Sequence, residues 1–108
     1  MDRKTRELYA RVLEQAVLMT LEGTIRSSTH SRQRDELRDI TPADAEATIL
    51  DKDARVIRHN PNHPEGVTYE IAGRKASGDE IHVIIAFDTR DLSEVTMMTV
   101  VTVMYPQR

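Results

Sequence analysis

Near Ala54 the chain changes its hydrophobic period, and this change limits the possible folds more than any single motif. Before it, Leu8, Tyr9, Val12, Leu13, Ala16 and Val17 recur at helical spacing. They make a wide apolar stripe over residues 2–22, while Arg3, Lys4, Glu7, Arg11 and Glu14 fall largely elsewhere on the wheel. Gly23 is the expected stop. After Ala54, short segments rich in Val, Ile, Thr and Tyr follow one another at 56–57, 67–72, 80–87 and 94–105. Connections this short join neighbouring antiparallel strands, so the expectation is a meander of about four strands. The fold class is therefore α+β, with two or three N-terminal helices packed on that sheet.

The region between the two regimes divides in two. Residues 24–29 are polar and unpatterned and read as a connection. Residues 30–38, HSRQRDELR, read as a second helix with Leu37 as its one large apolar side chain. Such a helix gains little from burial. Thr41-Pro42 then opens a further helix, with Thr41 as cap, Pro42 at the first turn and Asp44 at the capping-box position. Ala45, Ile49 and Leu50 are its expected buried face. Residues 60–66 hold two prolines and two asparagines and read as a loop, and Gly73 to Gly78 as a turn.

Size and charge bound the rest. A chain of 108 residues suits one domain, and it can bury roughly two thirds of its unfolded surface without a staple. There is no cysteine, hence no disulfide framework, and a reducing, cytoplasmic setting fits. No run approaches the roughly 20 apolar residues of a membrane span. The net charge of −3 means that any binding of nucleic acid must rest on a local basic stripe.

Two strands carry apolar residues on both faces. Ile81, Val83, Ile85 and Phe87 share one face of the third strand, and His82, Ile84 and Ala86 share the other. The second face should then be covered, either by the N-terminal helix or by a partner subunit in a homodimer.

Three groups are candidates for chemistry. His30, Arg34 and Arg38 lie at i, i+4 and i+8, along one side of the polar helix. A basic stripe there can hold phosphate beside a titrating His. By spacing alone a solvated, salt-bridged face is favoured, because Asp35, Glu36 and Asp39 are interleaved. His82 stands among Ile and Val, where a hydrogen-bonded sheet histidine is the commoner arrangement. Thr102 shares its face or not according to register, since a slip of one residue brings Val101 or Val103 instead. The third group is Thr99, Thr102 and Tyr105. No Gly-rich phosphate loop and no nucleophile elbow occurs, and His59 and His63 lack companions at metal spacing. No metal or cofactor is expected.

The run from Ser28 to Thr41 resembles the H-A-x-x-R-x-x-x-R-G-I-S opening of a bacterial domain family of unknown function. His30, Arg34, Arg38 and Ile40 match it, with Ser31 in place of Ala and Asp39 in place of Gly. A strand reading "lHvvva" matches residues 81–86, and a closing "vvTvY" lies near residues 100–105, where Met104 adds one residue before Tyr105. The resemblance covers about 28–106 and leaves residues 1–24 as an extra helix. That family is similar to the RelE, ParE and BrnT toxins, many of which cleave RNA without metal. The resemblance implies a RelE-like fold and a ribonuclease or RNA-binding activity in a toxin–antitoxin type system. RNA would be the substrate, and a cognate antitoxin or other protein the partner. It also implies His30, His82 and Tyr105 as catalytic residues, and Arg34, Arg38 and Thr102 as substrate ligands. The rival expectation is a non-enzymatic interaction or regulatory module on the same fold.

Overall fold

The computed structural model describes residues 1–28, 40–64 and 66–106. Helix α1 spans Arg3–Glu22. The Asp2 carboxylate caps it by accepting from Thr5 N at 2.7 Å, and Gly23 ends it in the left-handed conformation at φ 77°. Tyr9, Val12, Ala16 and Met19 form its buried stripe. The chain then makes strand β1, Ile25–Ser27. After the undescribed segment, helix α2 runs Pro42–Ile49 with a complete capping box between Thr41 and Asp44. Strands β2 (Arg55–His63), β3 (Gly66–Arg74), β4 (Glu80–Phe87) and β5 (Met98–Met104) follow, with a 3-10 turn at Leu92–Glu94 before β5.

The sheet order is β1-β5-β4-β3-β2. Strands β2 to β5 form the antiparallel meander, and β1 joins β5 in parallel. The sheet is thus mixed and five-stranded rather than a purely antiparallel one of about four strands. The polar run 24–29 was misleading because an edge strand of three residues needs no apolar alternation. Its backbone pairing suffices, extended by Ser28 N donating to Val100 O at 3.0 Å. Two helices are present among the described residues, and the expected helix over residues 30–38 lies outside them.

Other boundaries also moved. Strand β2 continues through Asn60, Pro61 and Asn62 to His63, where a loop was expected. Proline is tolerated there because β2 is an edge strand with a register shift between Asn60 and His63. Gly73 lies inside β3, paired with Ile81, rather than in the turn. A Cβ at Gly73 would sit 2.6 Å from the Thr48 carbonyl oxygen, so glycine is what lets α2 approach the sheet. Strand β5 starts at Met98 rather than at residue 94 and stops before Tyr105.

Both described helices pack on one face of the sheet. Tyr9, Val12, Ala16, Ala45 and Ile49 join Ile71, Ile81, Val83, Ile85, Met98, Val100 and Val103 in a single core. Thr48 is buried there, with its hydroxyl donating to Asp44 O, whereas Leu50 turns outward at the helix end and is 42% exposed. Of the two covers expected for the His82 face, α1 or a partner subunit, α1 is therefore not the one. The Ile81–Val83–Ile85 row offered the larger apolar surface, and both helices took it.

Candidate functional site

The opposite face of the sheet carries three rows of side chains, fixed by strand register. Directly paired residues share a face. The first row reads Arg55, Ala72, His82 and Met104 across β2, β3, β4 and β5. The second reads Arg58, Glu70, Ile84 and Thr102, and the third Asn60, Thr68, Ala86 and Thr99. Two irregularities build this pattern. In β2 the register shifts between Val56 and Arg58, so Arg55 and Arg58 face the same way although strict alternation would separate them. In β5 the ladder passes from Val100 to Thr102 against consecutive residues Ile85 and Ile84, leaving Val101 as the extra residue. That bulge places Thr102 on the His82 side and explains why four consecutive residues from Val100 to Val103 are buried.

His82 is the centre of a chain of charges. Its Nδ1 lies 2.8 Å from Glu70 Oε2, and its Nε2 lies 3.4 Å from Glu80 Oε2. Arg58 Nε stands 3.7 Å from the other oxygen of Glu70, and Arg55 Nη2 donates to Glu80 Oε1 at 3.4 Å. Each ring nitrogen therefore faces a carboxylate. The Glu70 and His82 side chains are only 13% and 14% exposed, so their pairing is shielded from solvent and salt. Glu80 is more open, and the hydrogen bond from His82, aided by Arg55, holds its carboxyl below the ordinary carboxylate value. The Thr102 hydroxyl, one row away from His82, is buried and has no hydrogen-bond partner.

Tyr105 stands just past the end of β5. Its hydroxyl accepts from Lys75 Nζ at 3.1 Å, and the ammonium also lies 5.5 Å from the ring centre. This contact raises the Lys75 pKa. Tyr105 lines an open cavity of about 490 Å³ with Asp79, Glu80 and Pro106. Glu80 thus belongs to both the His82 network and the Tyr105 cavity. A smaller cavity, about 200 Å³, opens on the other side of Glu70, among Arg58, Asn60, His63, Thr68 and Ile84.

Of the residues singled out in the sequence, His82 and Thr102 therefore occupy the same sheet face, and Tyr105 joins them through Glu80. His30, Arg34 and Arg38 lie outside the described residues. Glu70, Glu80, Arg55 and Arg58 were not singled out as functional. Glu80 carried a usable signal, since it sits two residues from His82 on the same strand and so on the same face. Glu70 and Arg58 become visible only through cross-strand register. On the helix face, Tyr9 Oη and His59 Nδ1 are hydrogen-bonded at 2.7 Å, which ties α1 to β2. Among the described residues no three His, Asp or Glu side chains are arranged to hold a metal ion. Among them, too, no helix is long and apolar enough to cross a membrane.

Residues 27–105 match the model of a family described as a domain of unknown function, DUF4258. The chain belongs to this family. No curated protein and no solved structure matches it.

Proposed function

We propose that this chain is a metal-independent ribonuclease domain with a RelE-like fold, acting in a toxin–antitoxin type system on the sheet face opposite the helices. The observation that carries the reading is His82, held between the carboxylates of Glu70 and Glu80. Glu70 orients the ring through Nδ1 and is itself held by Arg58. Nε2 faces Glu80 and the side where Tyr105 stands. A histidine positioned in this way serves as general acid.

In the reaction, a base takes the proton of a ribose 2′-hydroxyl, and the 2′-oxygen attacks the adjacent phosphorus. His82 protonates the departing 5′-oxygen. The products are a 2′,3′-cyclic phosphate and a 5′-hydroxyl, with no co-reactant consumed. The family resemblance supplies His30 as the base and Arg34 and Arg38 as phosphate ligands that stabilise the charged transition state. A cognate antitoxin would be the protein partner.

The test is cleavage of a mixed-sequence RNA in EDTA. Wild type should cleave and leave 2′,3′-cyclic phosphate ends. His82→Gln should fall by roughly 10²–10⁴-fold, the usual contribution of a positioned acid. Cleavage unchanged by His82→Gln, or cleavage that requires a divalent ion, overturns the proposal.

A second reading is a non-enzymatic interaction module, including self-association. Leu18 and Leu21 favour it, because they project from α1 with 42% and 67% of their surface exposed. Absence of cleavage in the same assay, together with sedimentation as a dimer that Leu21→Glu dissociates, would select this reading.

A further inference from the structure

We infer that the cavity beside Tyr105 is a nucleobase subsite selective for guanine, which names the substrate class of the site proposed above and rests on that reading. The cavity has one aromatic wall, the Tyr105 ring, which is 41% exposed. The ring is held by Lys75, whose ammonium bonds its hydroxyl and lies near its face. An exposed aromatic side chain fixed in place is a stacking platform for an unstacked base. Glu80, whose carboxylate also meets His82, lines the cavity, so a base on Tyr105 would lie near the proposed acid.

The remaining polar wall is acidic. Glu80 has both oxygens engaged, one by Arg55 and one by His82. Asp79 Oδ2 accepts from the Ser77 hydroxyl at 3.3 Å and keeps a further lone pair there. The Lys75 ammonium bonds the Tyr105 hydroxyl and also attracts Asp79 across space. The carboxylates of the wall attract hydrogen-bond donors. Guanine alone among the four bases presents two parallel donors on its pairing edge, N1–H and N2–H, which a carboxylate accepts together. Adenine and cytosine set one amine beside a ring nitrogen that would face the second oxygen with its lone pair. Uracil sets its single N–H between two carbonyls. The chemistry of Asp79 over Tyr105 therefore discriminates for guanine.

The experiment is calorimetric titration of the full chain with guanosine 3′-monophosphate and, separately, with the adenosine, cytidine and uridine 3′-monophosphates. Guanosine 3′-monophosphate should bind at least about tenfold tighter than the others, as expected for a bidentate pair. Asp79→Asn, which keeps the size of the side chain, should erase that preference. Tyr105→Ala should weaken all four by about fivefold or more, whereas Tyr105→Phe should retain stacking. Equal affinity for the four nucleotides, or a guanine preference that survives Asp79→Asn, overturns the inference. Cleavage of RNA without guanine preference would leave the ribonuclease reading standing and remove this one. Guanine-selective binding that depends on Asp79, in a chain that cleaves no RNA, would do the reverse.

Discussion

Thr102→Val should make the protein more stable without loss of activity. The Thr102 residue is 8% exposed, and its hydroxyl is buried with no hydrogen-bond partner. A buried polar group left unpaired costs about 1–3 kcal/mol. Valine keeps the β-branched shape that suits β5 and replaces the hydroxyl with a methyl, which adds about 0.8 kcal/mol of apolar burial. Together the two effects give a gain of about 2–4 kcal/mol. With a urea m-value of roughly 1–1.5 kcal/mol/M for a chain this size, the unfolding midpoint should rise by about 2 M. The assay is equilibrium urea unfolding followed by far-UV circular dichroism, with RNA cleavage measured on the same preparation. Cleavage should be retained, because the buried hydroxyl is out of a substrate's reach. Thr102→Ser keeps the unpaired hydroxyl and loses the methyl, so it should lose stability instead. A Thr102→Val protein destabilised by about 1 kcal/mol or more would refute the reasoning, because the hydroxyl would then have a partner whose loss matters.

Gly73→Ala should destabilise by about 1–3 kcal/mol, the usual cost of forcing an extra carbon into a packed site. The added Cβ would lie 2.6 Å from the Thr48 backbone oxygen and 3.0 Å from its Cγ2, and a backbone atom cannot rotate away. Thermal unfolding would show this as a drop of several degrees, and an unchanged midpoint would mean that α2 moves off the sheet without penalty. Acid should weaken the fold through Glu80. Its carboxyl is held below the ordinary 4.5 by His82 and Arg55, so the stabilisation is present above that value and is lost as pH falls through the lower folded value. Glu80→Gln should flatten urea midpoints measured from pH 5 down to pH 3, and an identical slope in both proteins would contradict the assignment.

The division into helices and meander was legible because period is a local property. The α1 stripe, the Thr41–Asp44 capping box and strand β4 each lie within one stretch of chain. What could not be read depended on pairing between stretches. Residues Ile25–Ser27 have no strand pattern of their own and are a strand only because β5 offers an edge. Leu50 was expected inside and Thr48 was not, since α2 ends at Ile49 and the buried hydroxyl finds the Asp44 carbonyl one turn back. Arg55 and Arg58 reach the carboxylates around His82, and Lys75 holds Tyr105, through pairings that no single stretch of chain reveals.

The two bulges are where the site was hidden. Without the shift near Ile57, Arg55 and Arg58 would point to opposite faces, and one carboxylate beside His82 would lose its cation. Without the extra residue at Val101, either Val100 or Thr102 would have to leave its present face. The core would then lose a valine or the His82 face its hydroxyl. Alternation alone cannot place Val100 and Val103 in the core while turning Thr102 the other way, because 100 and 103 differ by an odd number. The bulge resolves that parity conflict. A run such as Val100-Val101-Thr102-Val103, apolar on both faces by simple counting, is thus a signature of a bulge as much as of a sheet covered on both sides. The second reading was the one drawn from the sequence, which offered α1 or a partner subunit as the cover. The same irregularity that defeated the count is what sets a hydroxyl without a partner into the polar face of an otherwise apolar strand.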